Sequence, residues 1–290
     1  MNNNSQQEGG VKLFSPAKLN LFFRVLHKRP DSFHEIASLY QAINLGDILQ
    51  ICLSDEDRLI CNEPEIPTDS SNLVWKAIDS FRKNTGKNFK VHVQLQKKIP
   101  VQAGLGGGSS NAATALWAVN QLCGGTVAET DLRAFGSEFS SDAPFFFSAG
   151  TAYCCGRGEV LEAAPSLQPQ SLWIVKPKEG LSTPLVYKHC QPEKFQKRNP
   201  RDFLQQILKG RAAFFNDLEI PAFQLMPSLQ LLKEKLLSLG FSSVTMTGSG
   251  TAFFCLGDRK LAPVLEGIQF IPTQYLNRPE GKWYEKSKER

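Results

Sequence analysis

Apolar residues in the first part of the chain form short runs that alternate with polar breaks. From Val11 to Val25 the runs are rich in Leu, Phe and Val, and Ser15-Pro16-Ala17-Lys18 interrupts them, which predicts two strands with a bend between them. Another strand is predicted from Ala42 to Leu53, with Gly46-Asp47 as a turn signal. The apolar pattern alone gives no reason for the polar residues of the bend.

Helical periodicity follows in the same half of the chain. Ser109 to Leu122 carries Ala and Leu at helical spacing directly after a run of glycines, and Cys123-Gly124-Gly125 supplies a stop signal. Further helices are predicted over Asn72 to Phe81 and over Glu129 to Phe139. Alternation of apolar and polar residues predicts a strand from Val91 to Leu95, just before the glycines. This half is therefore mixed α and β.

The pattern restarts beyond about Pro165 and predicts a second α+β unit. Its predicted elements are strands at Leu172 to Val175, Ser243 to Met246 and Ala252 to Leu256, and helices near Arg201 to Leu208 and Ser228 to Leu239. We therefore predict two domains, residues 1–164 and 165–290. The charged tail after Pro279 is expected to be solvated and loosely ordered.

Composition and charge exclude several classes of protein. The net charge of +5 and pI near 8.8 suit anionic ligands, but the basic residues are dispersed, so nucleic acid is only a weak option. The seven cysteines show no C-x-x-C spacing and no accompanying His cluster, which indicates reduced thiols rather than a zinc site. Met1 to Gly10 is polar, and no apolar run reaches the roughly 20 residues that a membrane helix needs. A cytoplasmic protein with no membrane partner is expected.

A glycine-rich segment from Pro100 to Asn111 lies between a predicted strand and the helix that begins at Ser109. Glycines let the backbone turn tightly and approach a ligand, and the first helical turn offers unpaired N–H groups at the positive end of its dipole. Such a loop binds phosphate readily. Ser109 and Ser110 add the chemistry of a helix cap and hydroxyls that could reach a magnesium ion.

This segment matches neither common nucleotide-binding pattern. No Gly-Lys-Ser/Thr follows at the Walker spacing, and the spacing of Gly104, Gly106 and Gly108 fails the Rossmann G-x-G-x-x-G pattern. The alternative is a flexible linker, but linkers rarely adjoin a well-patterned helix. A third kind of phosphate loop is indicated.

The order Pro-x-x-x-Gly-Leu-Gly-x-Gly-Ser-Ser, from Pro100 to Ser110, resembles the second motif of the galactokinase, homoserine, mevalonate and phosphomevalonate (GHMP) kinase superfamily. Two more of its motifs appear in the right order, at Ser15 to Asn20 and at Thr247 to Ala252, and the resemblance spans Leu13 to Leu256. It implies an α+β, two-domain GHMP kinase fold. The N-terminal domain would resemble domain 2 of ribosomal protein S5, and the C-terminal domain would be ferredoxin-like.

Three details are similar to one branch of this superfamily: Pro16 to Leu21, Asp31 to Glu35, and Asn216 to Glu219. The resemblance to this branch implies transfer of a phosphoryl group from ATP, with Mg²⁺, to the 2-hydroxyl of 4-diphosphocytidyl-2-C-methyl-D-erythritol, a step of non-mevalonate isoprenoid synthesis. Two alternatives stay open. One is a homoserine or mevalonate type of kinase from the same superfamily, and the other is a non-catalytic S5-like binder of nucleic acid.

Two charged residues are the candidate catalytic pair. Lys18 lies in the polar bend, where a bare ammonium is costly unless it faces an anion. Asp142 precedes the run Phe145-Phe146-Phe147, and a helix-capping role is its alternative. The resemblance pairs Lys18 with Asp142 and makes Asp142 the base that takes the hydroxyl proton. Ser140-Ser141 stands here where the family usually has Gly-Ala before this aspartate.

The resemblance also assigns residues to both substrates. Those assigned to the nucleotide are Asn72, Lys97, Pro100, Gly104, Leu105, Gly106, Gly107, Gly108, Ser109 and Ser110. Those assigned to the acceptor are Asn20, Phe33, His34, Tyr187, Gly248, Ser249 and Gly250. Phe33 and Tyr187 would stack on cytosine and His34 would add a selective hydrogen bond, although by themselves these residues are ordinary core or surface positions. Ser110 is the one candidate protein ligand for Mg²⁺, which should arrive with ATP.

Overall fold

The first of two sheets contains the longest strands of the protein. The computed structural model describes residues 10–211, 214–257, 262–279 and 284. The first sheet consists of β1 (Val11–Lys28), β2 (His34–Ser54), β3 (Arg58–Cys61), β4 (Lys90–Gln96), β5 (Thr151–Gly156), β6 (Val160–Ala163) and β8 (Phe215–Asn216). The order β3-β4-β2-β1-β8 runs across it, and β5 joins β2 and β6. Parallel and antiparallel pairs both occur, because β1–β8 and β3–β4 are parallel.

Three helices and a short 3-10 helix pack with this sheet. They are α1 (Leu73–Thr85), α2 (Gly107–Leu122), α3 (Glu129–Ser137) and the 3-10 helix Ala143–Phe147. Helix α2 is buried on most sides, and the small side chains of its four core alanines allow close approach to α1 and to the sheet. Its first turn, which follows the glycine loop, is therefore anchored in the main core.

The second unit is a four-stranded antiparallel sheet in the order β11-β7-β10-β9. Its strands are β7 (Ser171–Pro177), β9 (Ser243–Met246), β10 (Phe253–Leu256) and β11 (Ile268–Gln274). Its helices are α4 (Thr183–Lys188), α5 (Pro200–Leu208), α6 (Glu219–Leu225) and α7 (Pro227–Ser238), with a 3-10 turn at Pro192–Lys194. Among the described helices of either unit, none is long and apolar enough to cross a membrane.

The predicted bend and turn in the first two strands are wrong. Both β1 and β2 run through without a break, and the pairing shifts register between Pro16 and Ala17, where Pro16 faces Gly46. Proline has no N–H to donate to the ladder, which explains an irregularity at this point. Gly46 is needed for space rather than for a turn, because a Cβ there would lie 2.4 Å from the Phe14 ring.

Segments of the second half also return to the first sheet. The short strand β8 pairs with β1, and Tyr275 forms a bridge with Ile43. Tyr284 is buried between Trp117 and Phe147, with ring centroids 5.4 and 5.9 Å away. Apart from residue 284, the tail that was expected to be loosely ordered lies outside the described residues. The domain boundary at residue 164 stays a prediction.

Candidate active site

The glycine loop presents the start of α2 without a side-chain cap. Gly104 and Gly106 have φ values of 76° and 68°, which only glycine adopts freely, and Gly106 is the N-cap residue. No side chain bonds to the cap, so the prediction that Ser109 or Ser110 caps this helix is wrong. The N–H groups of the first turn are therefore available to an anion at the positive end of the helix dipole.

A loop from the second unit packs directly on this glycine loop. It connects β9 to β10, and a Cβ on its Gly250 would lie 2.1 Å from the backbone nitrogen of Gly104. A Cβ on Gly104 would in turn lie 2.0 Å from the carbonyl oxygen of Thr247. The two motifs therefore meet backbone to backbone. Gly248 and Ser249 line the larger cavity described below, and Ser249 Oγ is 2.7 Å from Thr183 Oγ1.

Lys18 is a buried cation, only 4% exposed, that projects from β1 under the glycine loop. Its ammonium donates to Asn20 Oδ1 at 2.7 Å, lies 3.4 Å from Asp142 Oδ2 and stands 4.4 Å from the centre of the Tyr40 ring. Its backbone N–H donates to the carbonyl of Leu105 at 2.9 Å, which ties the strand to the loop. The structure thus brings the two predicted catalytic residues together.

Asp142 stands at the start of the 3-10 helix, at the wall of the cavity, and its side chain is 27% exposed. Tyr40, which no sequence pattern singles out, donates its hydroxyl to Asp142 Oδ1 at 3.0 Å. Burial raises the pKa of the Tyr40 hydroxyl well above its ordinary value, and the negative charge of Asp142 raises it further. This hydroxyl therefore stays protonated and can donate a hydrogen bond. Each oxygen of Asp142 keeps a lone pair free for an incoming hydroxyl.

The serines around this carboxylate have separate partners. Ser140 Oγ donates to Ser109 Oγ at 2.8 Å and so connects the Asp142 turn to the first turn of α2. Ser140 therefore adds a hydrogen bond between these two segments at the position where the resemblance leads one to expect glycine, which has no side chain to form it. Ser110 is fully buried, and its Oγ is 2.8 Å from Ser15 Oγ. Of the two serines, Ser109 is the one that lines the cavity.

Asn20 lies one layer behind the cavity wall. It is fully buried, its amide donates to Ser38 Oγ at 2.9 Å, and its amide oxygen accepts from Lys18. Its backbone N–H donates to Thr247 Oγ1 at 3.1 Å, which links it to the second unit. This geometry orients the Lys18 ammonium, and direct contact of Asn20 with an acceptor stays a prediction.

The larger cavity, of about 720 Å³, opens beside Asp142 and is lined by most of the residues predicted to bind the acceptor. Phe33 is 53% exposed at its rim, with the guanidinium of Arg157 4.9 Å from its ring centre. His34 and Tyr187 face each other with ring centroids 5.2 Å apart. Burial lowers the pKa of His34, and the charge of Lys28 lowers it further, so the imidazole is neutral near pH 7.

The smaller cavity, of about 300 Å³, lies on the other side of the glycine loop. Its walls include Asn72, Lys97, Pro100 and the loop from Gly104 to Gly108. Asn72 caps α1, because its Oδ1 accepts from Val74 N at 2.9 Å, and its amide donates to the carbonyl of Pro67 at 2.6 Å. The glycine loop thus separates two cavities and borders both of them.

Protein ligands for a metal ion are sparse in this region. Within the described parts of the chain, no group of three or more His, Cys, Asp or Glu side chains is placed to hold a metal. The oxygen donors that face the larger cavity near the loop include the Asp142 carboxylate and the Ser109 hydroxyl. Ser110, the predicted ligand, instead bonds to Ser15 inside the protein.

Two family models match this chain: the GHMP kinases N terminal domain over residues 72–150, and the GHMP kinases C terminal model over residues 194–266. Together with the two-unit α+β fold, these matches place the chain in the GHMP kinase class. The chain is 47% identical to 4-diphosphocytidyl-2-C-methyl-D-erythritol kinase of Protochlamydia amoebophila, over 94% of this chain and 93% of that protein. It is 40% identical to the chloroplastic protein of that name from Arabidopsis thaliana, over 94% and 76%. The chain belongs to the family of 4-diphosphocytidyl-2-C-methyl-D-erythritol kinases.

Solved structures agree with this assignment. The crystal structure of a 4-(cytidine 5'-diphospho)-2C-methyl-D-erythritol kinase matches with a TM-score of 0.79 and 32% identity, over 92% of this chain and all of that one. A homoserine kinase from Cytophaga hutchinsonii matches with a TM-score of 0.70 but 18% identity, over 94% and 97%, and so supports the fold alone. The predicted superfamily, its branch and the fold class are confirmed, and the chain is an ATP-dependent kinase.

Proposed function

We propose that this protein transfers the γ-phosphoryl group of ATP to the 2-hydroxyl of 4-diphosphocytidyl-2-C-methyl-D-erythritol, with Asp142 and Lys18 serving the reacting hydroxyl. The observation that carries this proposal is the Lys18–Asp142 pair, 3.4 Å apart, at the wall of a cavity that also contains the uncapped start of α2. A phosphoryl donor on that helix and an alcohol in the cavity can meet at this pair. Homoserine and mevalonate need no aromatic base-binding wall, so Phe33, His34 and Tyr187 favour the cytidyl acceptor.

In this mechanism Asp142 accepts the hydroxyl proton as the oxygen attacks the γ-phosphorus, and the bond from that phosphorus to the bridging oxygen breaks to release ADP. Tyr40 and Lys18 hold the carboxylate in place, and the ammonium stabilises the negative charge on the attacking oxygen and on the transferred group. The N–H groups of the first turn of α2 hold the phosphates of ATP. Phosphoryl transfer depends mainly on positioning and charge, which this rigid arrangement supplies.

Charge in the larger cavity suits the diphosphate of the acceptor. Lys28, Arg157 and Lys188 all line it, and together with Lys18 they bring four cations to a space that contains one carboxylate. Pairing of phosphate oxygens with lysine and arginine is favourable in such a partly enclosed site. The cytosine would then lie among Phe33, His34 and Tyr187, with the methylerythritol end at Asp142.

Mg²⁺ belongs to the proposal as the ion that neutralises the triphosphate when it is bound. Because few protein oxygens face the site, the phosphates would supply most of its ligands, with the Ser109 hydroxyl and the Asp142 carboxylate as the candidates on the protein side. The smaller cavity, with Asn72 and Lys97 in its wall, would receive the adenine.

The direct test is phosphorylation measured with three acceptors at equal concentration. We expect turnover with the cytidyl compound, and turnover at least about 100-fold lower with mevalonate or homoserine, because a site built for a base leaves its polar groups unpaired with them. The Phe33→Ala variant should raise KM for the cytidyl acceptor and leave KM for ATP unchanged. Equal turnover of all three acceptors would contradict the proposal.

Binding of the acceptor should weaken in acid because of His34. Its pKa in the free protein lies below the ordinary value of 6.5, and a bound cytosine buries the imidazole further, so binding favours the neutral form. The affinity for CDP is then constant above about pH 7 and falls as the pH drops below 6.5 and His34 takes up a proton. Calorimetry with CDP between pH 8 and 5.5 measures this.

The His34→Gln variant is the control for that titration. It keeps a hydrogen-bonding side chain but has no ionisable ring, so any remaining pH dependence in the variant comes from the phosphates of CDP. An identical pH profile in both proteins would remove His34 from cytosine binding.

A further inference from the structure

A buried carboxylate beneath the glycine loop has no role in the mechanism described so far. Asp47 lies within β2 and is fully buried. Its Oδ1 accepts from the backbone N–H groups of Lys98 and Ile99 at 2.7 and 2.8 Å, and its Oδ2 accepts from Asn111 Nδ2 at 2.9 Å and from the Lys97 ammonium. A buried charge is strongly unfavourable unless it is paired in this way. Asp47 therefore has four donors, and both of its oxygens are fully engaged.

These donors come from the two segments that flank the glycine loop. Residues 97–99 follow β4 and lead into Pro100, whereas Asn111 lies in α2, directly after Ser110. Asp47 thus holds the entrance and the exit of residues 100–110 to one carboxylate. The separation between these two ends limits how far the loop can open, because the eleven residues from 100 to 110 contain four glycines and can otherwise change shape easily.

The same network fixes the position of the Lys97 ammonium. Besides Asp47 it donates to Asn111 Oδ1 at 3.1 Å, and it lies 3.2 Å from the point where a Cβ on Gly107 would be. The cation therefore sits against the first turn of α2, at the positive end of the helix dipole, in the wall of the smaller cavity. Without the Asp47 carboxylate, the ammonium would keep its hydrogen bond to Asn111 Oδ1 but would lose the negative charge that offsets the positive end of the helix dipole.

We infer that Asp47 is a positioning residue for the nucleotide: it sets the spacing of the glycine loop and keeps the Lys97 ammonium beside the phosphate-binding turn. This inference rests on the proposed function only in taking ATP as the ligand of that loop. Asp47 itself is sealed from both cavities by its four donors, so it acts through the loop and through Lys97.

The Asp47→Asn variant tests this role. An asparagine has the same shape, but its amide group presents donors to donors, so at most two of the four hydrogen bonds survive. We expect the dissociation constant for ATP, measured by calorimetry without acceptor, and KM for ATP to rise about tenfold or more. KM for the acceptor should rise less than KM for ATP, because only Gly104, Gly106 and Ser109 of this region line the larger cavity and its base-binding wall comes from other elements.

Two further variants separate positioning from stability. Asn62→Ala is the matched control, because Asn62 bonds the backbone of Lys97 from the exposed side, at 2.6 and 3.3 Å, without reaching α2. It should change ATP affinity by less than about threefold. The double variant Asp47→Asn/Lys97→Met removes both buried charges, and it should regain thermal stability relative to Asp47→Asn without regaining ATP affinity.

The results can overturn the inference in two ways. If folded Asp47→Asn binds ATP as the unmodified protein does, or if KM for the acceptor rises as much as KM for ATP, Asp47 does not position the nucleotide. If Asp47→Asn does not fold, the double variant decides, and normal ATP affinity in it would refute the inference. Failure of the proposed acceptor would leave the ATP calorimetry unaffected, so the two proposals fail separately.

Discussion

Replacement of Asp142 by Asn is expected to lower kcat by about 10³-fold, while KM for ATP changes little. The variant loses the proposed base for the hydroxyl proton, and positioned general bases contribute roughly 10²- to 10⁴-fold. The single amide oxygen of the asparagine can also accept from only one of the two groups that now contact the carboxylate, the Lys18 ammonium and the Tyr40 hydroxyl. Single-turnover measurement of the phosphorylated product gives the chemical step directly.

Tyr40→Phe is the matched control for this substitution. It removes one hydrogen bond to Asp142 Oδ1 and leaves the carboxylate and Lys18 in place, so a loss of about tenfold in kcat is expected. Thermal unfolding of both variants shows whether the fold is intact. A folded Asp142→Asn protein with kcat within tenfold of the unmodified enzyme would remove Asp142 from proton transfer.

Replacement of Gly250 by Ala should strongly destabilise the protein. A Cβ at this position would lie 2.1 Å from both Ala103 C and Gly104 N, and backbone atoms cannot move aside as a side chain can. We expect a loss of about 3 kcal/mol or more in the free energy of unfolding. Because the displaced segment is the glycine loop, kcat/KM should also fall by more than about 100-fold.

Gly86→Ala is the control for the effect of glycine itself. Gly86 ends α1 with φ 68°, and a Cβ there would meet nothing within 4 Å. That variant should lose about 1 kcal/mol from backbone strain and keep full activity. Denaturant unfolding and steady-state enzyme kinetics of both variants distinguish the effect of a steric clash from that of backbone strain. Comparable stability of the two variants would contradict the close approach of the two loops.

Local pattern in the sequence was enough to find most elements of the first unit. The helices at Leu73–Thr85 and Gly107–Leu122 and the strand Lys90–Gln96 lie close to their predicted bounds, because each has its own periodicity and its own stop signal. The short strands Arg58–Cys61 and Phe215–Asn216 were not predicted. Each is held by pairing with a distant strand, and four or fewer residues carry too little pattern to be noticed.

The residues of the candidate site were likewise only partly predictable from the sequence. Lys18 and Asp142 were selected through motif resemblance, and the structure places them in contact. Tyr40 and Asp47 were not selected, since a tyrosine in an apolar strand and an aspartate after a glycine have ordinary explanations. Their roles depend on partners about 100 and 50 to 64 residues away, and only the folded chain shows such pairs.

The contact between Gly104 and Gly250 has a consequence for how the two substrates influence each other. Since the loops pack backbone to backbone, we expect a shift of one loop to displace the other. We expect that an acceptor that draws Gly248 and Ser249 inward would also move the proposed phosphate-binding loop, so that occupancy of one cavity would change the affinity of the other. Such coupling is reciprocal by thermodynamic necessity, so each substrate would change the affinity for the other by the same factor.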